Sequence, residues 1–142
     1  MGKIFIVEDH AVIRRGYISL IKRKPDLEIC GEASSGEDAL VSIPGCAPDL
    51  VLVDVSLPGM SGIDLVRRLQ MTQPDLATLV ISGHEEALFV EGVLAAGALG
   101  YVMKEQAPEV LIKAIYQVLS GKQYLSERMY KKLYAHQQDS SI

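Results

Sequence analysis

A chain of 142 residues carrying 14 lysines and arginines against 18 aspartates and glutamates has the length of one domain and no basic field for a phosphate backbone, which weighs against direct nucleic-acid binding by these residues. Its 49% apolar content suits a globular core and excludes collagen, a coiled coil or disorder. Cys30 and Cys46 form no CxxC pair, no histidine sits at metal spacing near them, and no apolar run approaches the roughly 18 residues of a membrane span, so the chain reads as soluble and cytoplasmic, with no disulfide scaffold, zinc site or membrane partner.

The chain opens Met1-Gly2, but Ile6 stands where N-myristoylation wants serine or threonine. The first strand is expected over residues 4–7; it is too short for a signal-peptide core and runs straight into Glu8-Asp9. A helix follows over 11–23, with Ile13, Tyr17, Leu20 and Ile21 on one stripe. Next come a strand at 27–30, a helix at 36–43, a strand at 50–53 and a helix at 62–72 entered through Ser61. A strand at 78–81, a helix at 85–96 closed by Gly97, a strand at 100–103 and a helix at 107–120 complete the series. Pro108 sits in the last helix's first turn, and Leu111, Ala114, Ile115, Val118 and Leu119 form its apolar face. Beyond Gly121, residues 124–135 read as an extra helix or the start of a linker, and 136–142 as a frayed polar tail.

The strands are rich in Val, Ile and Leu without polar alternation, as strands covered on both faces are. Five β-α repeats therefore predict an α/β fold, a doubly wound parallel sheet with helices on both faces. Such sheets place their sites at the carboxyl ends of the strands, beside the topological switch. Those ends carry Glu8-Asp9, Asp54, Ser82 and Lys104. Taken alone, each has an ordinary reading. Asp9 caps a helix, Glu8 is a solvated loop charge, Asp54 is a turn residue, Ser82 and Gly83 are loop and cap, and Lys104 is a surface lysine. Together they would gather three carboxylates, a hydroxyl and an ammonium on one edge. Clustered carboxylates repel unless a cation intervenes, and hard oxygen ligands suit Mg²⁺. A carboxylate, a metal, a lysine and a hydroxyl are the parts of in-line phosphoryl transfer, which is mainly positioning and charge neutralisation.

The segments Val7-Glu8-Asp9-His10, Leu52-Val53-Asp54-Val55-Ser56-Leu57-Pro58-Gly59-Met60-Ser61-Gly62, Val80-Ile81-Ser82-Gly83 and Gly97-Ala98-Leu99-Gly100-Tyr101-Val102-Met103-Lys104 strongly resemble bacterial response-regulator receiver domains. The stretch after Asp54 and the segment Gly121-Lys122-Gln123-Tyr124-Leu125-Ser126 are most similar to the NarL/FixJ, or LuxR-type, subgroup. The resemblance implies a flavodoxin-like (βα)5 fold of strand order 2-1-3-4-5, with a receiver over residues 1–121 and a linker start over 122–142.

It also implies roles. Asp54 matches the phospho-acceptor. Asp9, Asp54 and the backbone carbonyl of Ser56 match the Mg²⁺ ligands, with Glu8 acting through a metal-bound water and Mn²⁺ able to substitute. Lys104 and Ser82 match the groups that hold the phosphoryl oxygens, and Gly83 the small neighbour that leaves room. Tyr101 matches an aromatic switch that turns inward when Ser82 moves. Ser56 and His84 match positions that influence phosphate lifetime. Glu105 departs from the pattern, since many receivers have proline there, which leaves the peptide isomer after Lys104 open. The expected partners are a histidine kinase or phosphotransfer protein near the first helix, and a second copy of the chain. Arg14, Arg15, Lys22, Arg23 and Lys24 read as a solvated basic face or a docking surface.

Three rivals are weaker. A haloacid-dehalogenase-like phosphatase wants a second aspartate where Ser56 stands, and a P-loop wants lysine where Glu37 follows Gly36. A decoy receiver would not keep the pocket residues intact. Such a domain modifies only itself and is no turnover enzyme. The expected readout is transcription through a LuxR-type helix-turn-helix domain outside this sequence, or protein binding by a stand-alone receiver.

Overall fold

Five apolar runs become five strands because each buries both faces. The computed structural model describes residues 2–140, with side chains as far as Tyr134. The elements are β1 (Gly2–Val7), α1 (Ala11–Lys22), β2 (Leu27–Ala33), α2 (Gly36–Cys46), β3 (Leu50–Asp54), α3 (Gly62–Thr72), β4 (Ala77–Ser82), α4 (Ala87–Ala95), β5 (Gly100–Met103), a 3-10 turn (Lys104–Gln106), α5 (Ala107–Leu119) and α6 (Glu127–Ser140). The sheet order is β2-β1-β3-β4-β5 with every pairing parallel, the expected flavodoxin-like topology.

Successive residues of a strand point to opposite faces. Ile4, Ile6, Leu50, Leu52, Leu79 and Ile81 meet Tyr17, Ile18 and Ile21 of α1 and Leu111, Ile115 and Val118 of α5. Phe5, Val7, Val51, Val53 and Val80 face Ile43 of α2, Leu65 and Leu69 of α3, and Val90 and Val93 of α4. Strand order reverses about β1, so the carboxyl ends of β1 and β3 flank the switch point.

Several boundaries differ from expectation. β2 runs on to Ala33 because Gly31 lies inside it. A Cβ there would stand 2.7 Å from the Phe5 ring and 2.9 Å from Cys46 Sγ, so the glycine permits close approach and makes no turn. The β1–β2 register shifts at the same place, between Ile4 and Phe5. α2 continues through Pro44 to Cys46, where Ala47 closes it in the left-handed region at φ 49°, its N–H donating to the Ile43 carbonyl at 2.9 Å. Cys46 Sγ donates to the Cys30 carbonyl at 3.2 Å, and both cysteines are free thiols. α4 starts two residues late, after an extended Glu86.

The largest correction is at the C-terminus. α6 reaches Ser140 through much of the tail expected to fray; Ser141 and Ile142 of that expectation lie outside the described residues. Ser126 Oγ caps the helix by accepting from Met129 N at 3.1 Å, and Met129 and Leu133 bury against the face that α4 covers. The lead-in is tied to the sheet: Tyr101 N–H donates to the Tyr124 carbonyl at 3.0 Å, and Tyr124 N–H to the Leu99 carbonyl at 3.1 Å. Among the described residues no helix is long and apolar enough to cross a membrane.

Candidate functional site

β1 and β3 pair with Val7 opposite Val53, so the residues that follow, Glu8 and Asp54, leave the sheet side by side. Both are almost wholly buried, at 1% and 3% exposure, which is rare for carboxylates without partners. One oxygen of each is satisfied locally. Glu8 Oε2 accepts from His10 N at 3.0 Å, and Asp54 Oδ1 from Ser56 N at 3.2 Å. Glu8 Oε1, Asp54 Oδ2 and Asp9 Oδ1 are buried and accept no hydrogen bond. His10 Nδ1 lies 3.2 Å from Asp9 Oδ1, at an angle that makes none.

One donor atom from each of Glu8, Asp9, His10 and Asp54 lies within 4.8 Å of the other three. The balancing charge is Lys104, first residue after β5, whose Nζ is 3.6 Å from Asp54 Oδ2 and 4.0 Å from Glu8 Oε1. Those distances give Coulombic attraction but no hydrogen bond. Burial raises the Glu8 pKa above its ordinary value and the Asp54 charge adds to the rise; the His10 N–H and Lys104 oppose it incompletely. Orphaned oxygens with surplus negative charge are what a hard divalent cation satisfies.

Ser82 ends β4, the neighbour of β3, and is buried. Its Oγ accepts from His84 N at 3.0 Å. No Cβ contact would arise within 4 Å at Gly83, so open space adjoins Ser82. The His84 ring packs on Phe89 with centroids 4.5 Å apart. Tyr101, on β5, is 1% exposed. Its hydroxyl donates to the His84 carbonyl, and burial pushes its pKa up to about 12. The expected switch residue is therefore already inward.

The structure brings Glu8, Asp9, Asp54 and Lys104 together, with Ser82 on the adjoining strand and Gly83, His84 and Tyr101 around it. Ser56 is exposed, and its N–H holds Asp54. The helix-cap reading of Asp9 fails: His10 is the α1 N-cap and makes no side-chain capping bond. No cis peptide bond occurs among the described residues, so the bond after Lys104 is trans. A surface cleft of about 750 Å³ near Gly2, Asp49, Leu99 and Gly121 holds none of these groups.

Two residues of the site were not legible as such. Arg14, grouped by sequence with a basic face, is only 17% exposed; it donates to the Glu8 carbonyl at 2.6 Å and pairs with Glu32 at 2.8 Å. It thereby fixes the turn that presents Glu8 and Asp9. Its place in the first turn of α1, one turn after the N-cap His10, was the available signal. Glu37 accepts from Met60 N at 3.1 Å and braces the loop after Asp54, where Gly59 has φ 68° and a Cβ would fall 2.6 Å from the carboxylate. Nothing in the sequence pointed to that contact.

Residues 4–116 match the family described as the response regulator receiver domain. The response regulator GacA of Pseudomonas aeruginosa is 35% identical over 133 residues, covering 94% of this chain and 62% of GacA. The transcriptional regulatory protein UhpA of Salmonella typhimurium is 35% identical over 98% of this chain and 69% of its own length. The DNA-binding transcriptional activator DevR/DosR of Mycobacterium tuberculosis is 37% identical over 90% and 59%. The chain thus spans between 59% and 69% of these relatives. Among solved structures, a LuxR family two-component response regulator from Aurantimonas sp. SI85-9A1 superposes with a TM-score of 0.91 at 30% identity, covering 96% of this chain and 98% of that one. The isolated receiver of RcsB from Salmonella enterica serovar Typhimurium, with the phosphomimetic BeF3−, gives 0.86 at 23%, a likeness of fold alone.

Proposed function

We propose, given that this chain belongs to the response regulator receiver domain family and has LuxR-type response regulators as relatives, that Asp54 accepts a phosphoryl group and that the change of state is the signal. The carrying observation is that three orphaned carboxylate oxygens cluster at two strand ends, two of them, Glu8 Oε1 and Asp54 Oδ2, facing one lysine.

Asp9, Asp54 and the Ser56 carbonyl would hold Mg²⁺, or Mn²⁺ in its place, with Glu8 acting through a bound water. The bound ion supplies charge neutralisation for the incoming phosphoryl oxygens. Asp54 Oδ2 forms the new O–P bond as the P–N bond to a donor histidine breaks, and the leaving imidazole takes a proton. The donor is a histidine kinase or phosphotransfer protein; acetyl phosphate serves in the same way through an acyl P–O bond. Lys104 compensates the transferred charge, and Ser82 donates its hydroxyl to a phosphoryl oxygen. His84 and Ser56 flank that group and set how quickly water removes it. The protein thereby catalyses only its own modification.

Phosphorylation then acts by selection among conformations. The arrangement with Tyr101 inward on the His84 carbonyl is the one that a phosphoryl group drawing on Ser82 and Lys104 stabilises. The face made by α4, β5 and α5 changes with it, as a surface for self-association or for release of an output domain. We assign residues 1–121 as the receiver and 122–142 as the lead into such a domain, a LuxR-type helix-turn-helix regulating transcription. That assignment is supported by the greater length and printed names of UhpA and DevR/DosR. Incubation with acetyl phosphate, read on a phosphate-affinity gel, tests the reading. The wild type shifts with Mg²⁺ and not with EDTA, and Asp54→Asn shifts in neither; a metal-independent shift, or an unchanged Asp54→Asn, overturns it.

A further inference from the structure

α6 lies far from the pocket in sequence yet is tied to it by contact. Arg128 and Lys132, one turn apart, both reach a single oxygen, Glu85 Oε1, at 3.0 and 3.3 Å. Met129 and Leu133, also one turn apart, are buried in the cluster that contains Val90, Val93 and Tyr101. An apolar stripe and an ion-pair clamp thus seat the same helix. Glu85 directly follows His84, whose N–H donates to Ser82 Oγ and whose carbonyl receives the Tyr101 hydroxyl. The loop is therefore held at 82 by the sheet, at 84 by Tyr101 and at 85 by α6. Adjacent Cα atoms are only about 3.8 Å apart, so residues 84 and 85 move together. The loop position that suits Tyr101 also suits the clamp.

We propose that Glu85 is a positioning residue of the phosphoryl pocket: clamped by Arg128 and Lys132, it holds the His84 carbonyl where Tyr101 meets it, so that α6 docking and phosphorylation of Asp54 favour each other. The inference rests on the roles of Asp54 and Ser82 proposed above. Coupling of this kind is reciprocal. Phosphorylation tightens α6, and an intact clamp slows loss of the phosphoryl group by keeping the loop closed over it. The partners are partly exposed ion pairs, so the effect is about two- to fivefold in either direction.

The test uses the whole chain with three variants: Glu85→Gln, Arg128→Ala with Lys132→Ala, and the charge-reversed triple Glu85→Lys, Arg128→Glu, Lys132→Glu. Two readouts are taken: the rate of phosphoryl loss from Asp54, and amide exchange over residues 127–134 with and without beryllofluoride. In the wild type, beryllofluoride slows exchange in α6. Glu85→Gln and the double alanine variant lose the phosphoryl group about two- to fivefold faster and no longer couple exchange to beryllofluoride, while the triple variant regains both properties. Glu85→Gln preserves side-chain size, so it reads the charge even if the alanine pair loosens α6 generally. A wild type that is phosphorylated by acetyl phosphate but whose α6 exchange, measured separately on the unphosphorylated chain, ignores beryllofluoride, or a Glu85→Gln rate equal to wild type, overturns the inference while leaving Asp54 as acceptor. A wild type that takes up no phosphoryl group removes the premise and the inference with it.

Discussion

Lys104 Nζ stands 3.6 Å from Asp54 Oδ2, within ion-pair range and beyond hydrogen-bond range. The lysine is held by charge and keeps its donors uncommitted to the carboxylate, as the proposed role of neutralising an arriving anion requires. Lys104→Ala should slow phosphoryl uptake from acetyl phosphate on the order of a hundredfold. Its stability should change by no more than about 1 kcal/mol, because the side chain is partly exposed. Parallel uptake rates and thermal melts check this; a lowered melting temperature with normal uptake would make Lys104 structural only.

Glu8 supplies a pH signature. Its folded pKa is raised, chiefly by burial, so its stabilising contribution is present below the unfolded value of 4.5 and is lost as the pH rises through the folded one. In EDTA at neutral pH, Glu8→Gln should therefore melt above the wild type, with the gap closing as the pH falls through the folded value. Melts across that range decide it. A gap that persists in acid would place the strain elsewhere.

Arg14 ties α1 to the Glu8 carbonyl, so Arg14→Ala should cost about 1–2 kcal/mol of folding stability and weaken Mg²⁺ binding. Denaturant melts and calorimetric titration measure the two effects. Unaltered Mg²⁺ affinity would return Arg14 to the ordinary basic face.

At Tyr101 the ring and the hydroxyl separate cleanly. Tyr101→Phe keeps the core filled and strands the His84 carbonyl, at about 1 kcal/mol. Tyr101→Ala also leaves a cavity, at about 3–5 kcal/mol. Both should still take up phosphate while self-association after phosphorylation changes, as light scattering would record. Lost uptake in Tyr101→Phe would contradict a role confined to the switch.

The sheet was legible because strands buried on both faces leave unbroken apolar runs, and the clustering of Glu8, Asp9, Asp54 and Lys104 was legible because parallel order forces strand ends together. What escaped had other causes. Gly31 and Pro44 look like punctuation in sequence, but one admits the Phe5 ring and the other is carried within α2. The tail of α6 is polar, so its pattern suggested fraying; burial of Met129 and Leu133 and the capping bond from Ser126 support the helix instead. Arg14 and Glu85 carry charges that resemble any surface charge until their partners, Glu8 and α6, are in place. The inward seat of Tyr101 depends on a carbonyl seventeen residues away, which no local pattern reports.

The central claim is that Asp54 is the acceptor. After reaction with acetyl phosphate and Mg²⁺, borohydride reduces an aspartyl phosphate to homoserine, which peptide mapping locates. The account predicts homoserine at position 54 alone; homoserine at Asp9 or Glu8's equivalent reduction product, with residue 54 still aspartate, would contradict it.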